Sequence, residues 1–390
     1  MRVRRGPGPA ATPHRGRSGL AGAGAGGQHG GTSDRSRTGR TTEGRAVDRK
    51  NLERLRAKYG DADPGETHDP RFRAITDSQF EDGGRRMPPF AGVPTFLGAP
   101  YVVDQDRGLD GLDIAMVGVP MDLGVTNRPG ARFGPRAVRT IERIGPYHHI
   151  LHRAPFLEAR VADIGDVPFR SRFNLDMSLH DIEQFYRRFR DTGVRPLSIG
   201  GDHSITYPIM KALGHDRPLG MIHIDAHCDT GGGFDHSKFH HGGPFRAAVL
   251  DGVLDPERCV QIGIRGSSEY IWEFSADAGM TVLHIEKVVE MGIPAVVETA
   301  RRVIGDGPVY VTFDIDGIDP GFAPGTGTPE VGGLTPREAQ EILRGLDGLN
   351  IVGGDVVEVA PQYDATTNTA QVGGQILFEI LTIMTGAPRR

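Results

Sequence analysis

Cysteine is scarce in this chain, which has only two among its 390 residues. Cys228 and Cys259 are each flanked by apolar residues of strand-like sequence, so a framework of disulfide bonds is not indicated. Long apolar runs are missing as well, since none reaches the roughly 18 consecutive apolar residues that a membrane helix needs. No apolar core of a secretory signal is found either. These features predict a soluble cytoplasmic protein that does not bind membranes.

The first fifty residues are poor in acidic and in large apolar side chains. They contain eleven Lys or Arg and only three Asp or Glu, in a sequence rich in Gly, Ser and Ala. Such a segment cannot bury enough apolar surface to offset the entropy that is lost on folding. We therefore predict that residues 1–50 form a disordered basic tail, and we expect no nucleic-acid partner.

Residues 51–109 are hydrophilic and show little periodicity, which predicts an irregular arm. The apolar patches around Phe90 and Phe96 are expected to pack on the rest of the chain or on a neighbouring subunit. From Asp113 onward the pattern becomes regular, and it continues without a break that would suggest a boundary. Residues 110–390 are therefore predicted to form a single domain.

Eight short apolar runs in this domain are typical of buried strands. Segments with helical periodicity lie between them, such as Leu175–Thr192, which ends before the helix-stop residue Gly193. Strands that alternate with helices predict an α/β fold with one parallel sheet covered by helices on both faces. The predicted strands are 114–119, 161–164, 196–200, 219–225, 259–264, 281–285, 309–314 and 351–357. The other predicted helices begin at 134 or span 205–213, 287–304, 335–347 and 367–385.

Three of the predicted strands end in residues that are good metal ligands. The strand before Asp225 runs into Asp225-Ala226-His227-Cys228-Asp229, in which the acidic and imidazole side chains recur at every second residue. Alternate residues of a strand point to the same face. The carboxyl ends of parallel strands also meet at one edge of a sheet. A polynuclear metal site is therefore predicted there. Its six candidate ligands are His203, Asp225, His227, Asp229, Asp314 and Asp316.

The simpler alternative is that these residues are solvated strand ends. One such sequence would fit that interpretation, because Asp is common where strands terminate. Three of them fit it poorly, because an Asp that finishes a fully apolar strand is costly to bury without a partner. The metal site is therefore the favoured interpretation.

The segments Gly200–Ser204, Asp225–Asp229 and Phe313–Pro320 resemble the signatures of the ureohydrolases, the family of the arginases and agmatinases. The similarity extends to Ala323–Pro329 and Asp355–Pro361 and covers roughly residues 110–385. It is specific, because several independent motifs fall in the family's order and spacing. The resemblance implies a three-layer α/β/α sandwich on an eight-stranded parallel sheet, the arginase-like fold.

The resemblance also implies two Mn²⁺ ions per subunit, with Ni²⁺ or Co²⁺ as substitutes. Carboxylate oxygens with two imidazoles suit Mn²⁺ better than they suit thiolate-loving metals. Asp225 and Asp314 would bind both ions. By this resemblance one ion would be held by His203, Asp225, Asp229 and Asp314, and the other by Asp225, His227, Asp314 and Asp316.

The activity implied by the resemblance is hydrolysis of a guanidino compound to urea and an amine. Glu358 matches the family's guanidinium-binding glutamate, His241 matches its proton-transferring histidine, and Asp229 could orient the attacking hydroxide as well as bind metal. Asn127 and Arg128 lie in a loop that resembles the agmatinase and guanidino-acid hydrolase branch. They are expected to contact the substrate.

The identity of the substrate is left open by the sequence. Agmatine and a guanidino acid such as guanidinobutyrate or guanidinopropionate are the main alternatives, and free guanidine, in a small closed pocket, is another. Arginine is disfavoured, because Thr230–Phe234 lacks the stretch with which arginases bind the amino-acid head. A metal deacetylase of similar fold is a second class, but it would use one Zn²⁺ and fewer carboxylates. The family also implies a homo-trimer or homo-hexamer.

Overall fold

The computed structural model describes residues 48–60, 67–78, 90–102, 109–141, 144–266 and 272–388. Most of the predicted basic tail lies outside these residues. The chain divides into two compact units, residues 1–65 and 66–390. In the first unit the structure describes helix α1, Arg49–Tyr59, which is capped by Asp48 and has no buried residue. Among the described residues, no helix combines the length and the apolar character that crossing a membrane requires.

The second unit is built on one parallel sheet of eight strands, as predicted. The strand order is β2-β1-β3-β8-β7-β4-β5-β6, so the last strand of the chain lies in the middle of the sheet. Strands β1, β3, β4, β7 and β8 are buried along almost their whole length, which explains their continuous apolar sequences. The strands are β1 Ile114–Val119, β2 Val161–Asp166, β3 Arg195–Gly200, β4 Leu219–Ile224, β5 Leu254–Ile264, β6 Thr281–His284, β7 Val309–Asp314 and β8 Ile351–Val357.

Helices cover both faces of the sheet and complete an α/β/α sandwich. Alternate strand residues belong to two separate apolar clusters: Ile222 and Ile224 pack on one side, and Leu219 and Met221 on the other. Helices α3 and α9 to α12 contribute to the first cluster, and α5 to α7 to the second. The helices of this unit are α2 Pro70–Asp77, α3 Gly134–Arg139, α4 Pro155–Glu158, α5 Leu175–Tyr186, α6 Thr206–Leu213, α7 Pro244–Leu250, α8 Glu273–Asp277, α9 Ile285–Met291, α10 Ile293–Ile304, α11 Pro336–Gly345 and α12 Asn368–Gly386.

Several predicted elements differ from the observed ones. The arm expected to be irregular contains α1 and α2, and each begins at an Asp whose side chain accepts backbone N–H groups of the first turn. The single helix predicted over 287–304 is two helices, because Gly292 has φ +74° and Pro294 lies in the first turn of the next helix. Strand β5 begins five residues earlier than predicted, and α5 ends at Tyr186 in a 3₁₀ turn.

Of the two apolar patches, the one around Phe96 packs on the rest of the chain as expected, whereas Phe90 does not pack on the described residues. Phe96 is completely buried, its ring faces the guanidinium of Arg139, and its amide donates to Asp163 at 3.1 Å. Leu97 is also buried, whereas Phe90 is 92% exposed. The patch around Phe96 therefore belongs to the core, and Phe90 lies at the surface.

Phe96→Ala should lower the free energy of unfolding by about 3–5 kcal/mol, because it leaves a cavity the size of a phenyl ring in the core. Phe90→Ala is the matched control, and the free energy of unfolding should change by less than about 0.5 kcal/mol. Denaturant unfolding of both variants measures the difference. Equal losses in the two variants would contradict the packing described here.

Candidate active site and metal centre

The six predicted metal ligands and Glu358 follow four strands that are neighbours in the sheet. His203 follows β3, Glu358 follows β8, Asp316 follows β7 and Asp225 follows β4, and these strands are adjacent in the order β3-β8-β7-β4. Because all four strands run in the same direction, their carboxyl ends meet at one edge. Residues that are up to 155 positions apart in sequence are in this way brought into contact.

The ring nitrogen Nδ1 of His203 is the centre of the first cluster. It lies 3.1 Å from Asp225, 2.9 Å from Asp229 and 3.2 Å from Asp314. It is fully buried, yet none of these contacts has the geometry of a hydrogen bond. A buried nitrogen that three carboxylates surround without a shared hydrogen is the arrangement expected of ligands that converge on one cation.

The opposite nitrogen of His203 is held by a hydroxyl. Nε2 lies 2.8 Å from Oγ1 of Thr312, and that hydroxyl donates to Asp355 at 2.6 Å. Because the hydroxyl proton is directed to Asp355, Thr312 accepts from Nε2–H. His203 is thereby fixed in the tautomer that leaves the lone pair of Nδ1 free for a metal ion. Neither Thr312 nor Asp355 was predicted from the sequence as a member of the site.

A second cluster joins His227 to two carboxylates. Its Nδ1 lies 3.4 Å from Asp225 and 3.2 Å from Asp316. Asp225 therefore contacts both clusters, as expected of a residue that bridges two ions. Asp314 contacts His203, and its other oxygen accepts the amide of Asp316 at 2.9 Å. All six predicted ligands are thus brought together. The ligand atoms of His203, His223, Asp225 and Asp229, and those of Asp225, His227 and Asp316, lie close enough to hold one ion each, whereas Asp314 joins the first cluster through its contact with His203.

The charges of the two clusters shift one another's pKa values: burial raises the pKa of Asp225, but the neighbouring histidines outweigh burial and hold that pKa well below its usual value. Burial and the neighbouring carboxylates raise the pKa of Asp314 well above its usual value and that of Asp316 to about 6. Burial lowers the pKa of His203, but its carboxylate neighbours outweigh burial and raise that pKa well above normal. The pKa of His227 is raised in the same way. These buried groups release their protons only when another positive charge takes the place of the protons. Divalent cations would supply that charge.

Glu358 lies beside the clusters and has one free oxygen. Its Oε1 accepts the amide of His203 and Nδ1–H of His241, both at 2.8 Å, while Oε2 is buried and has no partner. A Cβ at Gly327 would stand 2.9 Å from the carbonyl oxygen of Arg128 and 3.7 Å from Oε2, so a side chain there would crowd the segment beside this oxygen. Glu358 has φ +64° and Asp229 φ +50°, left-handed conformations that are costly for such residues and cluster at functional sites.

His241 is held between Glu358 and Thr126. Its Nε2 lies 2.7 Å from the hydroxyl of Thr126 and accepts the amide of that residue at 3.1 Å. Burial lowers the pKa of His241, but the carboxylate of Glu358 outweighs burial and raises it to about 9. The Thr126 amide favours the neutral ring, because only an unprotonated Nε2 can accept it. The carboxylate of Glu358 favours the protonated ring and the Thr126 amide favours the neutral ring. A histidine with both neighbours is suited to gain and lose a proton.

The loop that carries Thr126 is anchored by Asp202. This buried carboxylate accepts the amide of Gly124 at 2.7 Å, and the carbonyl of Gly124 in turn accepts the amide of His241 at 2.8 Å. Burial and the charge of Glu358 raise the pKa of Asp202 to about 7. Neither Asp202 nor Thr126 was predicted from the sequence as a site residue, although Asp202 directly precedes the predicted ligand His203.

A cavity of about 250 Å³ opens beside the clusters. Its walls combine ligand residues with aromatic and small side chains, including Trp272. The lining residues are Thr126, Ala226, His227, Cys228, Asp229, Gly231, Phe234, His240, His241, Gly242, Ile264, Gly266, Trp272, Asp314 and Thr328. The space is large enough for a small guanidino compound.

Asn127 and Arg128 are not among the residues that line this cavity. The guanidinium of Arg128 donates to the carbonyls of Thr326 and Gly327 and lies over the ring of Tyr363. Asn127 also donates to Gly327, at 3.3 Å. In the described structure both residues therefore hold the segment that passes beside Glu358, and their contact with the substrate stays a prediction.

Comparison with known proteins agrees with this architecture. The model of the arginase family matches residues 112–382. Guanidinopropionase of Pseudomonas aeruginosa is 49% identical over 308 residues, which cover 78% of this chain and 95% of that protein. The mitochondrial agmatinase of Gallus gallus is 48% identical over 285 residues, covering 71% and 82%. The structure of proclavaminate amidino hydrolase from Streptomyces clavuligerus matches with a TM-score of 0.72 and 35% identity, covering 77% and 99%.

The chain therefore belongs to the arginase family. Within it, these relatives place the chain in the agmatinase and guanidino-acid hydrolase branch, and it is a ureohydrolase. The resemblance drawn from the sequence motifs is confirmed at this level.

Proposed function

We propose that this enzyme hydrolyses agmatine or a guanidino acid to urea and the corresponding amine at a centre of two divalent metal ions. The observation that carries the proposal is the free Oε2 of Glu358, buried beside two clusters of metal-ligand residues. A buried carboxylate oxygen without a partner is costly, and a planar cation would satisfy it. The relatives named guanidinopropionase and agmatinase support a guanidino group as that cation.

The six ligand residues fit a pair of Mn²⁺ ions. Carboxylate oxygens and two imidazoles favour Mn²⁺, and Ni²⁺ or Co²⁺ would also accept this donor set. Asp225 and Asp314 would bind both ions, His203 and Asp229 the first, and His227 and Asp316 the second. When bound, two such ions would acidify a water molecule and supply hydroxide near neutral pH.

The protein side chains would orient the substrate and move protons. Glu358 would form the ion pair with the guanidinium through its free Oε2, while Oε1 stays bonded to His203 and His241. Asp229, which lines the cavity, would orient the attacking oxygen. His241 also lines the cavity, and with a pKa near 9 it could carry a proton at neutral pH and give it to the departing amine.

A panel of guanidino compounds tests the function. Urea release should be measured with agmatine, guanidinopropionate, guanidinobutyrate, guanidine and arginine at equal concentrations in the presence of Mn²⁺. One of the first three should give the highest kcat/KM, and arginine should be poor. Deacetylation of an acetylated amine, with no urea from any member of the panel, would instead favour the deacetylase class. The homo-trimer or homo-hexamer implied by the family stays a prediction that analytical ultracentrifugation would check.

A further inference from the structure

Another buried histidine, His223, lies directly behind the first cluster of ligand residues. It is completely buried, and its Nε2 lies 2.7 Å from Oδ2 of Asp225. Its Nδ1 lies 3.1 Å from Nε2 of Gln261, which is its direct neighbour in the register of β4 and β5. His223 has a nitrogen close enough to His203, Asp225 and Asp229 to be a candidate ligand itself. Its role depends on which of its nitrogens carries the proton.

The orientation of the Gln261 amide decides this point. The NH₂ group of Gln261 donates to the carbonyl of Cys228 at 2.5 Å. The reversed amide would place an oxygen against that carbonyl, and two acceptors at such a distance repel each other. The NH₂ group must therefore face both Cys228 and His223, although this leaves Oε1 of Gln261 buried without a partner.

The amide orientation in turn fixes the tautomer of His223. Since the NH₂ group of Gln261 donates to Nδ1, this nitrogen must be unprotonated, and the proton of the neutral ring is on Nε2. Nε2–H then donates to Asp225. A nitrogen whose hydrogen points at a carboxylate has no lone pair to offer a metal ion.

We propose that His223 and Gln261 are positioning residues for the metal centre, and that His223 is not a ligand. The inference rests on the proposed metal-dependent function. His223 restrains Oδ2 of Asp225, while Oδ1 accepts the amide of His227 at 2.6 Å. The carboxylate shared by both clusters is thus held at both of its oxygens. Gln261 additionally restrains the loop between Asp225 and Asp229 through the carbonyl of Cys228.

A pair of nearly isosteric substitutions tests the role of His223. His223→Gln can place an NH₂ donor where Nε2–H now lies, whereas His223→Met has similar length and no donor. The metal-free full-length variants are titrated with Mn²⁺ in competition with a chelator, and the ions bound per subunit are counted. His223→Met should weaken Mn²⁺ binding about 10- to 100-fold, as is typical when the partner of a metal ligand is removed. His223→Gln should recover most of that loss and retain two ions.

Gln261→Met and the double variant test whether Gln261 acts through His223. Gln261→Met should also weaken Mn²⁺ binding, and the combined loss with His223→Met should be smaller than the product of the single losses. Cys259→Ala, a buried change two residues earlier in β5, controls for disturbance of the core and should leave Mn²⁺ binding unchanged. Excess Mn²⁺ should restore urea release in His223→Met, which a general packing defect would not allow.

Several results would overturn the inference. Equal losses in His223→Gln and His223→Met, together with one ion fewer per subunit, would make His223 a direct ligand. Unchanged Mn²⁺ binding in His223→Met would leave it as a packing residue. Fully independent effects in the double variant would show that Gln261 does not act through His223. If the wild-type protein itself bound no Mn²⁺ and released no urea, the proposed function would fail, which is a separate outcome.

Discussion

Removal of metal ions should abolish urea release and lower the melting temperature of the enzyme. Without cations, the carboxylates around His203 and His227 are crowded together in a buried site. Their mutual repulsion then opposes folding, and no acidified water is available for hydrolysis. Dialysis against a chelator, followed by urea assays and thermal melting, measures both effects. Re-addition of Mn²⁺ should restore both, and full activity of thoroughly stripped protein would refute the metal centre.

The loss of stability should depend on pH with a definite sign. The folded-state pKa of Asp316 is raised to about 6, and those of His203 and His227 lie well above their usual values. Groups with raised pKa values stabilise the folded state while they are protonated, and this contribution is lost as pH rises through the folded-state pKa. The metal-free protein should therefore melt at lower temperature as pH rises, through the window from about 4 to 6 for Asp316 and above about 6.5 for the histidines. The stabilisation by Mn²⁺ should grow over the same range.

Glu358→Gln should abolish most of the turnover of guanidino substrates and leave the metal content near that of the wild type. The amide oxygen of Gln can still accept from His203 and His241, so the local structure should be preserved. Its NH₂ group would then take the place of the free Oε2 and would face the donors of the guanidinium. Loss of the charge-assisted pair is worth about 1.5–3 kcal/mol, or roughly one to two decades in kcat/KM. Misplacement of the substrate should add up to about another 10²-fold.

The measurement is kcat/KM for the best substrate of the panel, together with metal analysis of the same sample. Asp316→Asn is the contrasting variant, because it removes a charge from the ligand set and should reduce both metal content and activity. Normal turnover in Glu358→Gln would show that Glu358 does not bind the guanidinium, and the proposed substrate class would lose the residue that supports it.

His241→Ala should keep the metal ions and slow turnover by about 10²–10⁴-fold if this residue transfers protons.

The metal-ligand residues could be predicted because their information is local. Asp225, His227 and Asp229 lie within five residues directly after β4, so the end of this one strand brings them close to each other, although they lie in a bend and Asp229 has φ +50° instead of a strand conformation. The parallel sheet was predictable for a similar reason, since buried parallel strands have continuous apolar sequences. Because parallel strands run in one direction, the sequence also predicted that their carboxyl ends, and the ligands that follow them, meet at one edge of the sheet.

The residues that restrain the ligands could not be predicted, because their partners are distant in sequence. Thr126 reaches His241 from a loop 115 positions away, and Gln261 reaches His223 from the neighbouring strand. A threonine in a loop or a glutamine in an apolar strand has no pattern that marks it before the strands are paired. Arg128 was likewise not expected to donate to backbone carbonyls, as it does in the fold, while its contact with the substrate stays a prediction. Donor geometry of this kind is visible only in the folded chain.

The central position of β8 has a consequence for how the enzyme is made. Strands β3 and β7 do not pair with each other, and β8, the last strand to leave the ribosome, joins them. Until β8 is made, β2-β1-β3 and β7-β4-β5-β6 are two separate half-sheets. His203 follows a strand of the first half, and the other five predicted ligands follow strands of the second half. The facing edges of β3 and β7 therefore stay unpaired until β8 is made. The ligand group of Asp225, His227 and Asp316 lies wholly in the half-sheet β7-β4-β5-β6, so only the group that needs His203 depends on closure of the sheet by β8.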